Sequence, residues 1–81
     1  MKGRRLPDGT DWSSNIQPGD YWKFDGIWYA ETPNHLTANL GGHAILEHTD
    51  GTITVSPSIL VTGGYSKSWH GYLEKGIWRE E

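Results

Sequence analysis

The chain contains no cysteine, which removes two ways of bracing so small a protein: a disulfide framework and a thiolate metal site. That composition fits a reducing compartment. Nor is there a run of about 18 apolar residues. The opening Met1-Lys2-Gly3-Arg4-Arg5 leads into polar residues instead of an apolar signal core, so the reading is a cytoplasmic protein with no membrane partner. Positive charge is scarce as well. Seven Lys and Arg against ten Asp and Glu give a net charge of −3, the wrong sign for coating a nucleic acid, which takes a basic face to release counterions.

What the chain does have is aromatic mass. With 81 residues it is long enough for one core and too short for two. Only 35% of residues are apolar, yet five Trp and four Tyr are among them, and each large ring buries about 150–250 Å² when taken inside. A few big side chains therefore carry the stabilisation.

Residues 1–18 are rich in Gly, Pro, Ser, Asn and Asp and show no periodicity, so they read as an irregular arm, with Leu6, Trp12 and Ile16 available to pin it to the rest. Residues 19–81 read as a single small β domain. Asp25-Gly26 between two alternating runs marks a hairpin with a type I′ turn. Its register pairs Phe24 with Ile27 and Trp22 with Tyr29. That set is expected to face the core, and Tyr21, Lys23, Trp28 and Ala30 to face the wetter side.

Residues 32–42, punctuated by Pro33 and Gly41-Gly42, read as a loop with room for one helical turn. A second hairpin turns on Asp50-Gly51. Setting Thr49 opposite Thr52 puts Ala44, Leu46, His48, Ile53 and Val55 on the core face, before Pro57 ends the ladder. Ile59 to Val61 continue it, Gly63-Gly64 make a corner, and a third hairpin around Lys75-Gly76 gathers Trp69, Leu73 and Trp78 on one face. The expected fold is all-β: a small antiparallel barrel or sandwich of about six short strands in three hairpins.

The stretch Asp50-Gly51-Thr52-Ile53-Thr54-Val55-Ser56-Pro57-Ser58-Ile59, a Gly-rich gap, then His70-Gly71-Tyr72-Leu73 and Gly76-Ile77-Trp78 resembles a family of small uncharacterised bacterial and phage proteins. The resemblance covers roughly the C-terminal half, and Pro-Ser-Ile is its most specific piece. Members often carry a cysteine cluster ahead of the second hairpin and another cysteine shortly before the histidine aligned with His70, a zinc-type pattern. Here Asn39, Leu40, Gly41 and Gly42 stand in the cluster region and Lys67 near the later cysteine, leaving only His70. What the resemblance implies is therefore a fold and a phage or bacterial origin, with no zinc ligand set and no activity.

Four histidines, at positions 35, 43, 48 and 70, are the remaining metal ligands to weigh. His43 and His48 are an odd number of strand positions apart and point to opposite faces, so no metal or other cofactor is expected. His48 reads as a partly buried strand residue. A hydrolase reading would join His70 to Ser66, Ser68, Asp50 and Glu74, but the chain has no nucleophile elbow and no phosphate loop. Gly63-Gly64 and Ser56-Pro57-Ser58 read first as corners.

Binding is the leading class. The candidate binding residues are His70, Tyr72, Trp28, Tyr21, Tyr65 and Ser58: aromatics expected outside the core, and the histidine opposite the Trp69 face beside the Ser-Pro-Ser corner. The expected partner is another protein, or a second copy of this chain paired through an edge strand. Carbohydrate stacking on Trp28 and Tyr21 is the alternative, and a hydrolase using His70 a third.

Overall fold

Asp25 and Gly26 turn the first hairpin with φ of 52° and 80°, the two left-handed residues a type I′ turn demands. The register is the one the dipeptide specifies. In the computed structural model, which describes residues 1–63 and 67–81, Tyr21 pairs with Ala30, Trp22 with Tyr29, Lys23 with Trp28 and Phe24 with Ile27.

The described residues form nine short strands and no helix: β1 (Arg4–Arg5), β2 (Asp20–Phe24), β3 (Ile27–Glu31), β4 (Thr37–Asn39), β5 (Ala44–Glu47), β6 (Ile53–Ser56), β7 (Ile59–Thr62), β8 (Ser68–Glu74) and β9 (Ile77–Glu80). They make a four-stranded sheet in the order β1-β2-β3-β4, the pair β5-β6, and a three-stranded sheet β7-β8-β9. The architecture is a small all-β sandwich and does not close into a barrel. Three of the nine strands go beyond the six expected. One of them is β4, which lies in the stretch read as loop and pairs with β3 through Ala38 and Ala30.

The opening residues are tied down at both of their ends. Lys2 bridges to Ile77, and the Trp78 amide donates to the Met1 carbonyl at 2.8 Å. Two residues on, Arg4 and Arg5 run parallel to Asp20 and Tyr21 as β1. One short segment thus straps β9 to β2, joining two sheets. Asp20 is buried at the join, where its carboxylate accepts both Arg4 nitrogens, at 3.1 and 2.9 Å, and the Gln17 amide at 2.8 Å.

The second hairpin differs from expectation by one residue. Ile45 pairs with Val55 and Glu47 with Ile53, because the turn takes three residues, 49–51. Gly51 at φ 89° supplies the left-handed position that closes such a loop. A slip of one exchanges the faces. Ile45 joins Ile53 and Val55 on the core side, while Leu46, expected inside, is 62% exposed.

The first hairpin keeps its register but not its faces. Tyr21, Trp28 and Ala30, expected on the wetter side, belong to the main core with Ala38, Leu40, Ile53, Val55, Ile59, Trp69, Leu73 and Trp78. The small pair Ala30 and Ala38 lets the sheets approach closely. The guanidinium of Arg5 lies 4.9 Å over the Trp28 ring and closes its outer side. The other face, with Trp22, Phe24, Ile27 and Tyr29, looks away from that core, and residue Trp12 of the opening segment folds over it.

In the third hairpin Leu73 pairs with Trp78, and Trp69 meets Trp78 edge-on at 5.2 Å, as the alternation predicts. The pair β5-β6 is fastened to its turn: the Gly76 amide donates to the Ile53 carbonyl at 3.0 Å and the Lys75 amide to the Thr54 hydroxyl at 2.9 Å.

Candidate functional site

Strands β7 and β8 set Leu60 across from His70, with both side chains on the outer face of their sheet. Ser58 precedes β7, just after the cis Ser56-Pro57 peptide, and its hydroxyl meets His70 Nε2 at 3.0 Å. The Glu81 carboxylate reaches the same nitrogen at 3.1 Å, and the Glu81 amide donates to the His70 carbonyl. His43 adds a second ring: its Nε2 donates to the Ser58 carbonyl at 3.3 Å, and its buried Nδ1 has no partner among the described residues. Tyr72 stands on the same outer face under the Arg79 guanidinium, 4.3 Å from its ring centre.

Three of the six sequence-chosen residues, His70, Tyr72 and Ser58, thus come together on one sheet face. The serine, histidine and carboxylate there do not form a hydrolytic triad. A base must accept the serine proton on one ring nitrogen while a carboxylate holds the N–H of the other; here hydroxyl and carboxylate share Nε2. Of the wider set read from the sequence, Ser68 lies on the same strand face as His70, two positions before it, while the two carboxylates are engaged elsewhere. Asp50 sits in the β5–β6 turn, its carboxylate turned onto the Thr52 amide and hydroxyl, and Glu74 pairs with Arg79 at 3.2 Å. Ser66 lies outside the described residues, as does the candidate Tyr65. Among the described residues no group of three or more His, Cys, Asp or Glu side chains is arranged to hold a metal ion.

Trp28 and Tyr21 correct the reading that made them a surface. They are 7% and 1% exposed, packed in the sandwich because their face carries the small alanines. The pair that motivated sugar stacking is therefore not presented to solvent. His48, placed on the core face by the expected register, instead meets the Thr54 hydroxyl at 2.7 Å.

The surplus of aromatics outside the core is nonetheless present, in other residues. Trp12 is 51% exposed and stands edge-on to Trp22, Phe24 and Tyr29, with ring centres 6.1, 5.6 and 4.8 Å away. Trp22 stacks on Tyr29 beneath it at 6.0 Å. Phe24 and Tyr29 remain half-buried, and Ile27 at the hairpin tip is exposed. The signal for this patch was in the sequence, as the more apolar face of the first hairpin. Amphipathic alternation marks that face as apolar but does not say which sheet face another sheet will cover, so the expectation of a core there does not hold.

No helix among the described residues is long and apolar enough to cross a membrane. No family model, curated protein or solved structure matches the chain.

Proposed function

We propose that this protein is a protein-interaction module that docks another macromolecule on the aromatic patch of Trp12, Phe24, Ile27 and Tyr29. The observation that carries this reading is the half-exposed Trp12 over a ring cluster separate from the sandwich core. Solvent-facing rings supported from beneath are rigid apolar anchors with a polar indole edge, the kind of group enriched at the centres of protein interfaces. Among the described residues, the other exposed large apolar side chains, Leu46, Leu60 and Ile77 on other strands and Met1 at the start of the opening segment, lie outside this cluster. On this reading the protein works in the cytoplasm, and the phage or bacterial origin implied by the resemblance makes a host factor the natural partner.

A tagged copy and its Trp12→Ser and Ile27→Lys variants, expressed in the source host, test the proposal. A partner held by the parent and lost by both variants, with unchanged thermal unfolding of Ile27→Lys, supports it. Equal capture by all three would overturn it, and so would the absence of any partner.

A further inference from the structure

A cleft of about 970 Å³ opens where the opening segment, the β5–β6 turn and the β8–β9 turn converge, with Lys2, Arg5, Tyr21, Asp50, Thr52 and Lys75 on its walls. Its backbone frame is fixed by hydrogen bonds. The Gly3 amide donates to the Gly76 carbonyl at 2.7 Å, and the Gly76 amide to the Ile53 carbonyl at 3.0 Å. The Lys2 backbone is held by its bridge to Ile77, and that of Lys75 by the hydrogen bond its amide donates to the Thr54 hydroxyl.

Five charged side chains line the cleft: Arg5 and Asp8 pair with each other, while Asp50 keeps its charge and is held by neutral donors. Arg5 binds Glu47 at 2.6 Å, Asp8 at 3.1 Å and the Gly51 carbonyl at 3.0 Å. The Asp50 carboxylate accepts the amide and hydroxyl of Thr52 at 3.0 and 2.6 Å. The ammonium groups of Lys2 and Lys75, by contrast, have neither a carboxylate at ion-pair distance nor a hydrogen bond among the described residues. At the floor, the Tyr21 side chain is buried with its hydroxyl beside Gly76 and Thr52: a methyl group added at Gly76 would stand 2.9 Å from that oxygen. Among the described residues this hydroxyl has no hydrogen-bond partner of its own.

We propose that this cleft binds the dianion of a phosphate monoester, with Lys2 and Lys75 as its counter-charges and the Tyr21 hydroxyl donating from the floor. Lys2 and Lys75 supply the positive charge for a group that carries about −1.5 to −2 charges at pH 7, and lysine serves such ligands as a mobile point charge on a flexible stem. Burial pushes the Tyr21 phenol up, so it remains a proton donor throughout the neutral range. The site is remote in kind from the aromatic patch, sharing none of its residues, and neither proposal depends on the other.

Methyl phosphate and acetate, titrated at constant ionic strength and pH 7.5 into the isotope-labelled protein, test it through amide shifts. Saturable shifts are expected at Gly3, Gly51, Lys75 and Gly76, with methyl phosphate bound at least about fivefold more tightly than acetate. The Lys2→Gln/Lys75→Gln double variant should bind methyl phosphate about tenfold or more weakly, and Tyr21→Phe about two- to fivefold. At pH 5.5, below the ester's second pKa of about 6, the preference over acetate should shrink. No saturable shift at these amides, equal affinity for acetate, or undiminished binding by the double variant would each overturn the proposal.

Discussion

The indole Nε1 of Trp78 donates to the carbonyl of Gly19 at 2.9 Å, a buried bond between residues 59 positions apart. It joins the last strand to the entry of β2 where the opening segment crosses from one sheet to the other. Gly3 threads this crossing. A Cβ there would stand 2.6 Å from the Gly19 carbonyl and 2.9 Å from Trp78 Nε1. Trp78→Phe should destabilise by about 2–4 kcal/mol, combining an unmet buried carbonyl with lost packing. Gly3→Ala should cost about 1–3 kcal/mol through overpacking alone. Urea unfolding of both variants checks this; a neutral Gly3→Ala would mean that the strap is not seated against Gly19.

The register of β5-β6 can be read from stability. With Ile45 opposite Val55 on the core side, Ile45→Ala should cost about 1–2 kcal/mol, whereas Leu46→Ala on the open side should stay within about 0.5 kcal/mol. Under the two-residue turn the order would reverse, because a slip of one exchanges the faces. Paired chemical-denaturation curves decide between the two registers.

Tyr21 should make the fold sensitive to alkali. Burial raises its folded-state pKa, with Asp50 adding to the effect and Arg5 opposing it. A group whose folded pKa lies above its unfolded value of about 10 contributes stability that is fully present below pH 10 and lost as pH rises through the folded value. The urea midpoint should therefore fall as pH rises above about 10, and Tyr21→Phe should flatten that part of the decline.

Asp50 shows the opposite sign. Its carboxylate accepts the Thr52 hydroxyl and amide, which hold it below the usual carboxylate range. The stability it contributes is present above the unfolded carboxylate pKa of about 3.9 and is lost as pH falls through the lower folded value. Carbon-detected titration should find the Asp50 midpoint below that of free aspartate, and Thr52→Ala should move it back upward. A midpoint unchanged by that substitution would contradict the side-chain bond.

Trp12 should matter to stability less than its size suggests. It makes three edge-on ring contacts but keeps half its surface in water, so Trp12→Ala should cost about 1–2 kcal/mol, well short of a fully buried tryptophan. Thermal unfolding checks the magnitude. Intact folding in that variant would leave any loss of partner binding assignable to the patch.

Local chemistry alone was enough for the all-β class, the Asp25-Gly26 and Lys75-Gly76 hairpins and the Trp69-Leu73-Trp78 face, since a two-residue turn with left-handed backbone sets register and register sets faces. The nearness of His70 to the Ser-Pro-Ser corner follows from strand pairing: Ser58 precedes β7, and β8 pairs with β7 with His70 opposite Leu60. Three things were decided only by the assembled chain. The turn at 49–51 took one more residue than Asp50-Gly51 needed, which turned Leu46 outward. The first hairpin offered two apolar faces, and the one with Ala30 became core because large rings on the other would hold a facing sheet too far away. The opening segment has no periodicity to announce a strand, yet β9 and β2 each had an unpaired edge, and backbone amides and carbonyls seek partners wherever two edges lie within reach of one short strap.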